Sequence, residues 1–257
     1  MGLPHLRGRK RRVFCEGLSG SARRSIVSNH VESAEKIWVI GGGQFGLRAA
    51  RLLSRDVPAP TITLVDRRSL SVNDEHFEIV TGDGVSWLYE HLSPDARVSK
   101  IIPAVPFHLA ARWLQAQLGN ARQTWHQQTI PEWLLDRFPH PFLTADGSVA
   151  LSYADFLCPP DCEEPEGYCT HTGEPRPTPL HRYVETVDCP PYHVLVLRSR
   201  QFGPGVGGFY PEDLWNLLAR ARKYRERSLL IVTACSCHGI ATLLCPNGLP
   251  SDIPLDT

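Results

Sequence analysis

A short apolar run, KIWVI at Lys36–Ile40, passes without a spacer into the hexapeptide Gly41–Gly46, GGGQFG. A strand that turns at once through glycines into a helix is compatible with very few architectures. The helix runs to about Arg55, with Phe45, Ala49, Leu52 and Leu53 on one face and Arg48, Arg51 and Arg55 on the other. A second apolar run, Thr61–Val65, ends in Asp66, twenty residues beyond Gly46. Strand, glycine loop, helix, strand and terminal acid together form the dinucleotide-binding fingerprint, which is far more specific than a lone glycine motif. Each residue has a physical task in that reading. Gly41 permits the tight turn, Gly43 lets the backbone approach a pyrophosphate, and Gly46 lets helix and strand pack closely. Gln44 and Phe45 open the helix, whose free N–H groups would receive the diphosphate. The Asp66 carboxylate would accept hydrogen bonds from the adenosine ribose and repel a 2′-phosphate, which favours NAD over NADP. Arg67 and Arg68 follow directly and work against that preference.

The same alternation continues. Strands are predicted at 77–80 and 99–102, and helices at about 85–91 and 106–118. After some 70 less regular residues it resumes with a strand at 192–197, a glycine-rich loop at 201–209, a helix at 211–224 and a strand at 228–233. Within the irregular stretch, 130–138 reads as a short helix and 142–153 as a hairpin turning at Asp146 and Gly147. The fold class is therefore α/β, a Rossmann-like doubly wound parallel sheet with a Cys-rich insertion between strands four and five. In this reading residues 36–257 form a single domain, interrupted at about 120–191.

The stretches Ile40–Ala50, Leu64–Asp66 and Val80–Asp83 resemble the NAD-binding N-terminal domain of TrkA/RCK-type potassium-transport regulators over about 70 residues. The resemblance implies that Asp83 lies near the adenine or its ribose. It also implies a nucleotide-sensing module that reports to a partner.

The cysteines form two groups. Cys158, Cys162 and Cys169 give C-x3-C-x6-C in a Pro-rich segment without hydrophobic periodicity, and His171 follows two residues on. Such a segment has little core of its own, so a zinc ion or an iron–sulfur cluster would supply the staple. The spacing matches neither the usual zinc ribbon nor the usual ferredoxin run, and reducible or inert thiols remain alternatives. Cys235 and Cys237, followed by His238, close the sixth strand, where open α/β sheets bind ligands. They complete the first group's metal site, form a separate redox pair, or pack as core. Arg198, Arg200 and the glycine-rich loop 202–209 are a further candidate, an anion cradle or a plain connection. His108, His181 and His193 have no spacing that selects a role.

Charge is uneven although the chain is formally neutral. Seven of the first 30 residues are basic and only Glu16 is acidic, which leaves the remainder at −6. A folded part of that sign excludes nucleic acid as its partner. The basic leader at 1–35 has no apolar h-region; an organellar transit peptide, a disordered tail and an early start codon remain open. No run reaches the ~20 apolar residues of a membrane span. Eight cysteines without a secretory signal point to a reducing, cytoplasmic setting. Two functions follow: an NAD-dependent oxidoreductase with a Cys-ligated metal centre, or a non-catalytic sensing module acting as a homodimer or on a protein partner.

Overall fold

The computed structural model describes residues 34–247 apart from 73, 122 and 166, and residues 1–33 of the basic leader lie outside them. Four strands, β1 (Lys36–Ile40), β2 (Thr61–Asp66), β3 (Phe77–Thr81) and β4 (Lys100–Pro103), form an all-parallel sheet in the order β3-β2-β1-β4. The crossovers are helices α1 (Gln44–Leu53) and α2 (Gly84–His91), and α3 (Leu109–Leu118) follows β4. The strands are apolar on both faces, as a sheet covered on both sides requires. Ile37 and Val39 pack with Ala49, Ala50 and Leu53 of α1, while Trp38 and Ile40 point the opposite way.

The second sheet is mixed. Its path β6 (Phe142–Leu143), β7 (Val149–Ser152), β12 (His238–Pro246), β11 (Leu229–Ala234), β8 (His193–Arg198) contains one parallel pair, β11 with β8. Strand β5 (Trp125–Gln128) pairs with the distal half of β12. Helices α4 (Glu132–Leu135) and α5 (Leu180–Glu185) cover its outer face, and α6 (Pro211–Lys223) lies on the inner one. The layer of α2, α3 and α6 is shared: Leu88, Trp113, Leu114, Leu217 and Leu218 form one core with residues of both sheets. Trp113 is fully buried, edge-on to Trp215 of α6 at 5.5 Å.

Two expectations change. The single six-stranded sheet does not form, because a hairpin of β9 (Arg200–Gly203) and β10 (Val206–Gly208) meets the free edge of β4. Ile101 and Phe209 exchange backbone hydrogen bonds of 3.0 and 3.1 Å there, so the later strands assemble separately. The stretch 120–191, expected to interrupt the sheet between strands four and five, instead supplies β5, β6 and β7 to the second sheet. Among the described residues no helix is long and apolar enough to cross a membrane.

His108, just before α3, is buried against two neighbouring strands of the second sheet. Its Nδ1 and Nε2 each lie 2.8 Å from a hydroxyl, of Thr242 on β12 and of Thr233 on β11. Thr242 continues to Ser148, and the Ser148 hydroxyl donates to Asp146 in the β6–β7 turn. Complete burial drives the His108 pKa down to about 3, with Asp146 opposing weakly. The folded protein thus holds His108 neutral, while the unfolded chain protonates it near pH 6.5. Stability from this site is full above about pH 6.5 and falls as pH drops toward 3, by up to about 1.4 kcal/mol per pH unit. Denaturant titrations between pH 7 and 4 should show this slope, and His108→Gln should flatten it; an unchanged slope would place the acid sensitivity elsewhere.

Candidate functional site

The glycine loop is built as its sequence requires. Gly41 has φ +109°, and a Cβ there would stand 2.2 Å from the Ala104 carbonyl oxygen. A Cβ at Gly46 would lie 1.8 Å from the Gly41 oxygen, so this residue keeps α1 close to the loop. At Gly43, the residue capping α1, a Cβ would meet nothing within 4 Å. Gly43 thus faces open space at the helix N-terminus, where a ligand can come against the backbone. Gln44 is exposed at the first helical position. Phe45 is 63% exposed rather than on the buried face of α1, which is formed by Gly46, Ala49, Ala50 and Leu53.

Beside the loop lies a cavity of ≈ 430 Å³ lined by residues including Gly41, Asp66, Arg67, Arg68, Asp83 and Phe107. Asp66 accepts from the N–H of Gly42 at 2.6 Å and from the N–H and Nε of Arg68 at 2.8 and 3.2 Å. Burial works against its charge, but the bonds from Arg68 and Gly42 outweigh it and hold the carboxyl below its usual range. Asp83 caps α2, accepting from Val85 and Ser86 at 3.0 Å, and its other oxygen lies 3.8 Å from Arg67 Nε. The Ser86 N–H leads the interactions that lower its pKa. Both acids remain charged, and each is matched by one of the two arginines.

On the far side of Phe45 a second cavity, of ≈ 550 Å³, gathers all five candidate metal-ligating cysteines: Cys158, Cys162, Cys169, Cys235 and Cys237. The two cysteine groups are thus brought together. The loop bearing Cys158 and Cys162 reaches α1 directly, where the Arg48 guanidinium donates to the Pro160 carbonyl and, at 3.2 Å, to that of Pro204. Gln201 Nε2 and the Gly205 N–H donate to the Cys162 carbonyl. The Cys235–His238 turn is fixed as firmly. Its first three carbonyls accept from His181, Leu180 and Tyr153 at 2.9 to 3.1 Å, and the Ser236 N–H donates to Glu164 at 2.6 Å.

Backbone N–H groups are directed at sulfur. Those of Cys237 and His238 lie 3.5 and 3.3 Å from Cys235 Sγ, and that of Glu164 lies 3.4 Å from Cys162 Sγ. The N–H groups of Thr172 and His171 reach Cys169 and hold its thiol below the ordinary value. Burial pushes Cys237 up to about 11 and Cys235 up to about 12, the latter with help from Glu164. Cys158 is raised by burial and then by Cys162 and Cys169, and Cys237 responds to those same two. Cys158 and Cys237 thus each feel Cys162 and Cys169, while Glu164 acts on both Cys235 and Cys237. Among the described residues, no three Cys, His, Asp or Glu side chains already stand in an arrangement that could hold a metal ion.

The proposed anion cradle at 202–209 is the β9–β10 hairpin, and Arg200 is paired with Asp213. Sequence reasoning missed Glu164 and Arg176, both in the cavity wall. A lone arginine in a Pro-rich segment carries no pattern, and its environment exists only once β12 and the 158–177 segment meet.

The family profile AF_1314_C, described as the C-terminal domain of an uncharacterized protein, matches residues 110–246. That span takes in every strand of the second sheet and all five cysteines of the cavity. An uncharacterized protein of Archaeoglobus fulgidus is 30% identical over 224 residues, covering 80% of this chain and 97% of its own length. No solved structure matches. The chain belongs to the AF_1314 family.

Proposed function

We propose that this protein binds NAD(H) at the Gly41–Gly46 loop in a Rossmann-type first half, and serves redox chemistry in the adjoining cysteine cavity. The observation that carries the reading is the position of Phe45. It belongs to the glycine loop and also walls the cysteine cavity, while Gly41 and Asp66 line the cavity on the other side. A dinucleotide with its ribose at Asp66 and its diphosphate over Gly43 would extend its nicotinamide end toward the cysteines. The order β3-β2-β1-β4 supports this polarity. Nicotinamide would supply hydride chemistry; the chain's own residues bind and orient it, and Phe45 shields the reacting end from water. The pairing of Arg68 with Asp66 and of Arg67 with Asp83 leaves neither arginine unopposed for a 2′-phosphate, which supports NAD over NADP.

For the cysteines we propose one thiolate-bound zinc or iron centre held by Cys158, Cys162, Cys169 and Cys237, which line one cavity and would close on the ion by side-chain rotation. Cys235 then organises the turn, accepting the two N–H groups, and is not a ligand. A metal would displace the protons that burial otherwise keeps on Cys158 and Cys237.

Gly43→Val should abolish NADH binding in a fluorescence titration while leaving the melting temperature unchanged, because its side chain enters open space. Gly46→Val should unfold the loop and is the poorer test. If Gly43→Val binds like the wild type, the nucleotide is elsewhere. Asp66→Ala should shift the NADP/NAD affinity ratio toward NADP by about ten- to a hundredfold, through the loss of a charged ribose contact and the release of Arg68. A ratio that does not move removes Asp66 from the ribose.

Metal analysis of anaerobically purified protein should find zinc, or iron with acid-labile sulfide. Cys237→Ser should lose it and Cys235→Ser retain it; metal-free wild-type protein would refute the centre. Nucleotide binding without turnover of any substrate would favour the sensing module.

A further inference from the structure

Arg176 is the least satisfied charged group in the cysteine cavity. Its side chain is 8% exposed, yet neither Nε nor Nη1 has a hydrogen-bond partner among the described residues. The closest opposite charge is Glu164, whose Oε1 lies 3.9 Å from Nη1 and already accepts the Ser236 N–H at 2.6 Å. At that distance the contact is an ion pair without a hydrogen bond. A buried guanidinium with two idle donors is costly, because water no longer satisfies them and no protein acceptor does. Arg200 lines the same cavity but is engaged by Asp213, so it does not compete for an anion. The remaining wall is largely apolar, with Phe45, Tyr153, Phe156, Pro159 and Pro177, and ≈ 550 Å³ suits a small organic molecule.

We propose that this cavity binds a small organic carboxylate, with Arg176 as the anchor of its anionic group and the aromatic and proline wall around its apolar body. The acids Asp155, Glu164 and Glu174 also line the cavity, so recognition is confined to the neighbourhood of the guanidinium and the rest of the ligand must be uncharged. As a binding site this stands on Arg176 and the cavity alone. As the substrate class of the redox reaction it rests on the function proposed above.

Benzoate and its neutral counterpart benzamide form a matched pair of probes. Calorimetric titration into the purified protein, without nucleotide, should show benzoate binding at least about tenfold tighter than benzamide. Benzoate alone should also protect the cavity cysteines from iodoacetamide in chelator-dialysed protein, with the sites read by peptide mass spectrometry. Arg176→Gln should erase the preference, and Arg176→Lys should keep part of it because the charge remains. Equal binding of the two probes, absence of binding by both, or benzoate binding without cysteine protection would overturn the proposal. The wild-type arms decide this even if Arg176→Gln fails to fold. Metal content and NADH affinity are measured separately on the same preparation. A metal-free or nucleotide-blind protein that still prefers benzoate refutes the redox reading and leaves the carboxylate site standing.

Discussion

The return of β12 against β11 is the constraint on which the rest of the molecule depends. β11 runs from Leu229 to Ala234 and β12 starts at His238, paired antiparallel from Ala234↔Gly239 to Leu229↔Leu244. Three residues must reverse the chain, and they are Cys235, Ser236 and Cys237. Their tight turn directs N–H groups onto sulfur and lays three carbonyls open to bonds from α5 and the β7 end. The other edge of β12 is then divided between β7 and β5. One long strand thereby organises a sheet whose members come from four separate stretches of sequence, and fixes where its cysteines stand.

The parallel sheet was legible in the sequence because its signals are local. Apolar runs of four to six residues, a glycine loop, and the acids Asp66 and Asp83 after the second and third strands place β1 to β4 and α1 within a few residues. The second sheet was not legible as a sheet. Its hairpin at Asp146 and its strands at 193–198 and 229–234 could be found individually, but nothing local states that they pair with β12. β12 itself escaped because HGIATLLCP follows the cysteine pair directly, without the Gly or Pro punctuation that marks a new strand. The β9–β10 hairpin passed for a loop because its glycines outnumber its β-formers. Gly208 shows why they are there: a Cβ would stand 2.4 Å from the Ile101 carbonyl.

The site was legible to the same degree. Glycine loop and Asp66 follow from spacing and Asp83 from the family resemblance, and the structure brings all three to one place. That the two cysteine groups share a cavity could only be allowed by reach, since 65 residues lie between Cys169 and Cys235. Phe45 shows the limit of periodicity. It falls on the apolar face of α1 by spacing, yet at the helix's first turn that face has run past the sheet and looks into the cavity instead.

Arg48 joins the two halves mechanically. Its guanidinium holds the carbonyls of Pro160 and Pro204, one in the cysteine loop and one in the hairpin that edges the parallel sheet. Because Arg48 sits one turn into α1, that helix cannot shift without carrying the cysteine loop along or breaking charged hydrogen bonds. A ligand that moved α1 would therefore also act on the cysteine loop, and any such linkage would be reciprocal: whatever free energy one ligand lent to the other's binding, it would receive in return.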